Sequence, residues 1–433
     1  MPVHRMRSAR RAAVAVIAAG LLALTAACSG GSTGLPIEQG GTAGPSTGTA
    51  SNASAPSSAG SSSSPSTTAE PAPVAAVTAS PALGGAAISP TAPVTITVAR
   101  GTITQLSVTN PEGAQVNGTT SADNTSWTLA EPLGYGKTYT VAGSATGTDG
   151  KSVPIQGSYT TVTPTDQITT SISPGDGDVV GVAAPVIVHL GYAPADKALI
   201  EKSVKITTNP QVEGAWAWIK HDGDQFESLD WRPQEYWPAN TQVHVESDIY
   251  GVPFGDNYFG GDNKTSDFTI GRNQVVLADA NAHNIVVQQD GVTVASYDAS
   301  YGSGDDIGDP NRVTRSGIHV VIDKEQTTKM SNPAYGYVNV TEHWAVRISD
   351  NGEFIHQNQG TVSDQGVVNV SHGCINLSAE SAEAYFDSAL LGDPVEVTGT
   401  SVPLSADDGD IYDWAIPWSQ WLTMSATGGG ATN

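Results

Sequence analysis

The chain has 433 residues, 14% of them charged, and a formal net charge of −24. So large an acidic excess argues against nucleic acid or an anionic membrane surface as the main partner. It carries only two cysteines, Cys28 and Cys374. Cys28 falls at the end of an apparent signal peptide, which leaves Cys374 as the one free thiol expected in the folded part.

Arg5, Arg7, Arg10 and Arg11 precede an apolar run from Ala12 to Ala27. The run is shorter than the ~20 residues of a membrane span and ends in small residues, so residues 1–28 read as a secretory signal peptide. Leu24-Thr25-Ala26-Ala27-Cys28 resembles a lipobox, whose cysteine is lipidated and becomes the mature N-terminus. Its leucine stands one place further from the cysteine than usual, and ordinary cleavage near Ala27 is the alternative. Cys28 has no cysteine to pair with, which favours the lipid and hence a membrane anchor. Residues 29–87 are Ser, Gly, Pro, Ala and Thr with almost no large apolar side chains. Such a segment cannot bury enough surface to fold and is expected to be a disordered tether reaching roughly 40 Å.

Residues 88–165 alternate in short runs, Val94–Val98, Ser126–Leu129 and Thr138–Val141, separated by turn signals. Period two with frequent turns predicts a β-sandwich. Residues 166–272 repeat the reading in Val186–Val188, Lys205–Thr207 and Val243–Val245. Trp127, a proline-bearing turn and Thr138-Tyr139-Thr140-Val141 are matched by Trp231, Pro233 to Pro238 and Thr241-Gln242-Val243-His244-Val245. The repeat predicts two tandem immunoglobulin-like domains without the antibody disulfide. Trp216 and Trp218 share one strand face, for core packing or for stacking on sugar. Gly255 to Asn263 is oxygen-rich, but its spacing is not that of an EF-hand, so a plain turn is expected over a calcium loop.

Residues 273–398 begin with Ile285–Val287, Asp290-Gly291 and Val292–Val294, a hairpin closed by a tight turn. Ile318–Ile322 and Trp344–Ile348 read as strands, and Val395–Val397 as the strand closing the sheet. Between Ser378 and Leu391, Ala382, Tyr385, Phe386 and Ala389 fall at helical spacing, with Ser378 as N-cap. In the tail, 399–433, Trp414, Trp418 and Trp421 recur at helical spacing beside four aspartates. Packing onto the preceding domains is expected of them, with fraying from Thr427. The fold class is therefore mostly β: two tandem immunoglobulin-like sandwiches, a β-rich domain with one short helix, and a Trp-rich segment packed back on the body.

Within that third domain stands Ser371-His372-Gly373-Cys374-Ile375-Asn376, with Phe354-Ile355-His356 upstream. Glycine before cysteine permits a tight turn with amides aimed at one spot. A thiol beside such amides is placed to attack a carbonyl, and it needs a base because the thiolate is the nucleophile. His356 is the candidate base. The motif, its spacing, and the segments Met330 to Tyr337, Trp344 to Ser349 and Gly352 resemble the YkuD-type L,D-transpeptidases that carry immunoglobulin-like domains.

That resemblance implies a cysteine-dependent acyltransferase of peptidoglycan that uses no cofactor. Cys374 would attack a tetrapeptide stem, release D-alanine and pass the acyl group to a second stem as a 3→3 cross-link. Transfer to water would make it a carboxypeptidase. The resemblance further implies that the Gln357 carbonyl orients His356 and that carbapenem-type β-lactams acylate Cys374. The Gly373 and Cys374 amides would hold the oxyanion, with the Tyr337 hydroxyl assisting and Tyr335 as second candidate. Ser371 and His372 are supporting neighbours; Asn351, Gly352, Asn376 and Met330 are expected substrate contacts. Zinc on His356, His372 and Cys374 is the metal alternative, and Gly373-Cys374 amides suit acyl transfer better. A non-catalytic wall-binding protein would need a broken motif, and a sortase-like transferase an arginine, for which Arg347 is the nearest candidate.

Overall fold

The computed structural model describes residues 74–221, 223–405 and 411–428. The signal-peptide and lipobox segments, Cys28 and most of the expected tether lie outside the described residues.

The first sandwich packs strands Ala76–Ser80, Thr95–Ala99, Ser126–Leu129 and Gly118–Thr120 against Gly101–Thr109, Thr138–Gly147 and Ser152–Thr160. Its core is Ile96, Trp127, Tyr139, Val141, Ile155 and Tyr159. The domain therefore starts before the boundary expected at residue 88. Val77 and Ala79 face this core, and the strand they belong to pairs with Thr95–Ala99. Two small side chains suffice there because the neighbouring strand supplies the bulk.

The second sandwich sets Val204–Asn209, Gln242–Ser247, Lys264–Ile270 and Val179–Val180 against Thr170–Ser173, Val186–Leu190, Ser228–Pro233 and Gly214–Ile219. The internal repeat is visible in its packing. Trp127 lies over Gly118, and Gly118 pairs with Leu129, two residues beyond the tryptophan. Trp231 lies over Gly214, and Gly214 pairs with Pro233, again two residues beyond. In both sandwiches a Cβ on the glycine would overlap the indole. Trp216 and Trp218 are 3% and 5% exposed, so they pack in the core and offer no stacking surface. The oxygen-rich loop is a two-residue hairpin turn, with Asp256 and Asn257 both at positive φ, 49° and 62°.

The two sandwiches meet through Tyr135 and Tyr250, whose rings lie 5.1 Å apart and whose hydroxyls donate to Gly260 O and Leu133 O. The third domain is fixed to the second by Gly181 N–H on Leu391 O, Ala183 N–H on Gly392 O, and Tyr236 Oη on Glu396.

That third domain has a five-stranded sheet and a four-stranded one. In the first, Val292–Asp298, Asn284–Gln289, Gln274–Asp279, Pro394–Thr398 and Gly317–Val320 lie in that order. Pro394–Thr398 is thus interior and not the closing edge, since Gly317–Val320 pairs on its outer side. The Asp290-Gly291 turn has φ 50° and 75°, as a two-residue hairpin loop requires. The second sheet runs Asp323–Asn332, Tyr337–Arg347, Phe354–Gln357 and Ile375–Leu377. The helix Ala379–Ser388 is capped by Ser378, whose hydroxyl accepts from Ser381 N–H at 3.2 Å. It buries Ala382 and Tyr385 on this sheet. A further α-helical turn, Gly304–Ile307, was not expected, nor were the 3-10 turns Pro310–Arg312, Pro333–Tyr335 and Gln359–Thr361; Ser303 N–H is drawn to Ser371 O beside the first.

The tail packs on the second sandwich, but not as one helix, because Pro417 divides Asp413–Ala415 from Trp418–Trp421. Trp414, Trp418 and Trp421 surround the Arg232 guanidinium at 4.6, 5.2 and 4.5 Å, a buried cation held by ring faces. Trp421 covers Ala215, Ala217 and Ile219, so the strand Gly214–Ile219 is buried on both faces. Ser425, Ala426 and Thr427 all donate to the buried Glu201, and residues 429–433, most of the segment expected to fray, lie outside the described residues. Beneath the tail, atoms of His221, Asp230 and Asp413 lie within 4.8 Å of one another. Burial, then the neighbouring Asp230, push the Asp413 carboxyl far up, so it is protonated at neutral pH.

Gly214→Ala is expected to displace the Trp231 indole and lower the unfolding free energy by about 1–3 kcal/mol, read by denaturant melting. Folding takes up a proton at Asp413, so stability at that site falls as pH rises above the ordinary carboxylate range near 4. Asp413→Asn should therefore raise the melting temperature at pH 7–8 and lose that advantage toward pH 4.

Candidate active site

Two short parallel strands build the site. Ile355, His356 and Gln357 pair with Ile375, Asn376 and Leu377 in that order. Ile355, Ile375 and Leu377 are 0% exposed and anchor the strands in the core. Alternation then turns His356 and Asn376 to the opposite face, and Cys374, two residues before Asn376, emerges on the same side.

The turn before Cys374 is tied from several directions. Ser371 N–H donates to Tyr301 O at 2.9 Å, and Ser371 Oγ donates to Cys374 O at 2.6 Å. Thr314 Oγ1 donates to Gly373 O at 2.8 Å. Gly373 has φ 127°, which a side chain would strain. Its N–H donates to Ser371 Oγ at 3.1 Å. This corrects the expectation of two oxyanion donors: the Ser371 hydroxyl takes the Gly373 amide, while the Cys374 N–H has no partner among the described residues and is the expected donor still available.

Cys374 is a free thiol whose Sγ lies 3.5 Å from Gly352 O. His356 is 4% exposed, and its Nδ1 donates to the Gln357 carbonyl at 2.8 Å. Glu342 Oε2 is 3.4 Å from the same nitrogen. Burial acts against a charged His356 ring, but the Cys374 thiol and then Glu342 outweigh it and lift the imidazole to about 10. The ring is therefore an imidazolium at neutral pH, as a thiolate–imidazolium pair requires.

His372 is exposed, and its ring lies 5.1 Å from Tyr335 and 5.5 Å from Tyr337. Burial and then Arg312 hold its pKa down, so it is a neutral part of an aromatic wall. Tyr335 Oη donates to Asp309 at 2.9 Å. The Tyr337 hydroxyl has no hydrogen bond among the described residues. Burial, then Cys374, raise its pKa, so it is a protonated donor beside the thiol.

Two cavities, of 560 and 260 Å³, meet at Cys374 and share Met330, Tyr337 and His372 in their walls. The larger is lined by Tyr335, Asn351 and Gly352, the smaller by Glu342, His356, Ser371 and Asn376. Asn351, in the amide orientation its neighbours require, accepts from Arg315 at 3.0 Å. Asn376 Nδ2 donates to Thr361 Oγ1 at 3.3 Å, so it braces the loop after His356. Arg347 stands over Phe354 and pairs with Asp350 at 3.5 Å in the wall of the larger cavity.

Sequence reasoning missed Glu342, Arg315 and Glu353. Glu353 is 2% exposed and accepts from Arg315 N–H and Ser349 Oγ, which fixes the loop carrying Asn351 and Gly352. No local pattern marks these residues; Glu342 is brought to the site by its strand, Arg315 and Glu353 by the loops that flank it.

His356→Ala is expected to slow acylation of Cys374 by about 100-fold or more, measured in single turnover with a β-lactam. For the unaltered protein the same rate should hold to about pH 9 and fall above it, as the His356 imidazolium deprotonates near 10.

Residues 85–253 match the bacterial Ig domain family, and residues 273–397 match the YkuD family, the L,D-transpeptidase catalytic domain. The chain is 48% identical over 356 residues to L,D-transpeptidase 5 of Mycobacterium tuberculosis, covering 82% of this chain and 78% of that one. It is 36% identical over 358 residues to L,D-transpeptidase 2 of the same species, covering 81% and 85%. A solved L,D-transpeptidase in complex with imipenem is 32% identical, with a TM-score of 0.44, covering 54% of this chain and 99% of that one. A strand histidine and a cysteine on the turn that leads into the adjoining strand, behind immunoglobulin-like sandwiches, thus accompany a sequence that belongs to the L,D-transpeptidase family.

Proposed function

We propose that this chain forms 3→3 cross-links between peptidoglycan stem peptides through a Cys374 thioester. The observation that carries the reading is the buried His356, its Nδ1 held by the Gln357 carbonyl, in the wall of one of two cavities that meet at Cys374, room enough for a donor and an acceptor to approach separately. The thiolate attacks the carbonyl of the third residue of a tetrapeptide stem. The C–S bond forms, the oxyanion is held by the Cys374 N–H with the Tyr337 hydroxyl, and the amide C–N bond then breaks. D-alanine leaves with a proton from His356. An amine of a second stem attacks the thioester and gives its proton to His356, and the C–S bond breaks as the new amide forms. Water in the amine's place makes the enzyme a carboxypeptidase. The geometry at Arg347 lends no support to a sortase-like oxyanion arginine, since that side chain is paired with Asp350.

The same reading makes the protein an exported one, at the outer face of the cytoplasmic membrane and held there by a lipid on Cys28. Its support is the charged-then-apolar N-terminus with the lipobox-like end, and the Ser/Gly/Pro/Ala-rich segment after it. A fatty-acyl mass on Cys28 in membrane fractions is the expected finding; a processed terminus near Ala27 without it refutes the anchor.

Incubation with a disaccharide-tetrapeptide should yield a dimer lighter by one D-alanine, read by mass. Tripeptide monomer alone would instead assign carboxypeptidase activity. Cys374→Ala should abolish product and covalent capture by imipenem, and persisting acylation of that variant would refute the nucleophile.

A further inference from the structure

The imidazole has more than the backbone carbonyl behind it. Gln357 O takes the Nδ1 proton at 2.8 Å with hydrogen-bond geometry, which sets the tautomer and the ring plane. Glu342 Oε2 stands at 3.4 Å from the same nitrogen. The two side chains are 5% and 19% exposed, so solvent screens this pair little. With Nδ1 engaged, the ring nitrogen left to face the thiol is Nε2, and the carboxylate therefore sits at the edge remote from sulfur.

We propose that Glu342 is a positioning residue of this active site, whose carboxylate stabilises the His356 imidazolium and through it the Cys374 thiolate. The proposal rests on the reading of Cys374 as nucleophile. Transfer of the thiol proton to His356 creates a dipole with its positive end toward Glu342. A fixed negative charge at that end favours the charge-separated form. A carbonyl is a neutral dipole; it orients the ring but does not neutralise it. The division of labour is thus orientation by Gln357 and charge by Glu342, where a buried acid alone does both in the serine triads.

A local backbone irregularity lies two residues beyond this carboxylate. Trp344, two residues on, has φ 52°, a conformation that bulky residues rarely adopt. Pairing with the neighbouring strand lapses at that residue, between Glu325–Ala345 and Thr327–His343. The Trp344 ring is held against Phe386 of the helix at 5.4 Å. The charged and titratable groups facing His356 are Cys374 from the turn, Glu342 from this strand and, beside them in the cavity wall, Tyr337 and the neutral His372.

The test is single-turnover acylation of the full chain by imipenem from pH 5 to 10, a reaction that needs no acceptor amine. Glu342→Gln is expected to lower the rate at pH 7 about tenfold and to draw the alkaline limb down by about one pH unit or more, with Glu342→Asp recovering most of both. A drop in rate with both limbs unmoved would mean a structural role and overturn the proposal. Unchanged acylation with loss of transfer to an amine acceptor would overturn it too, and would assign Glu342 to acceptor binding. Acylation of Cys374→Ala run alongside would sink the nucleophile assignment itself, an outcome separate from either result at Glu342.

Discussion

The parallel pairing of Phe354–Gln357 with Ile375–Leu377 is the constraint on which the site depends. Three fully buried aliphatic side chains hold these short strands in the core; a one-residue slip of either would carry its own out of the core, and a slip of the first would turn His356 inward. The register is thus set by hydrophobic burial, and the chemistry inherits it. Immediately after the second strand, Ser378 caps the helix Ala379–Ser388, which packs on the same sheet and locks the pair from behind. Isolated bridges from Ser300 to Asn376 and from Gly302 to Ser371 close the other side.

Around that frame, each polar group near the thiol is either committed or free, and the difference assigns roles. The Ser371 hydroxyl takes the Gly373 amide and gives its proton to the Cys374 carbonyl, making the turn rigid at the expense of an oxyanion donor. Tyr335 is committed to Asp309 while Tyr337 is not. Asn351 and Asn376 are both held by side chains of the fold, so their first task is to shape the cavity walls. His356 is the point where these constraints become electrostatic, because a buried imidazole stays charged only when anionic partners outweigh its desolvation.

The remaining domains form a continuous support. The third domain is hydrogen-bonded to the second sandwich along Gly181 to Ala183 and at Tyr236. The tail then crosses that sandwich, its tryptophans enclosing Arg232 and covering the strand Gly214–Ile219. Among the described residues no carboxylate is hydrogen-bonded to the buried Arg232; ring faces and the Ile416 and Pro233 carbonyls replace part of its water.

Much of this was legible in the chain itself. Period-two runs and turn dipeptides announced two sandwiches, and the Asp290-Gly291 turn and the Ser378 cap were readable because they are local, set by φ preferences and a hydroxyl within three residues. The motif from Ser371 to Asn376 with His356 carried the family and the nucleophile. What only the folded structure decided is every relation between distant strands. The first sandwich begins in a segment whose composition says tether, because small side chains gain a core only when a neighbour provides one. Glu342 reaches His356, and the Gly373 amide is lost to Ser371, through pairing and hydrogen-bond geometry. Those are three-dimensional quantities, set by burial summed over the whole domain, and no stretch of sequence contains them.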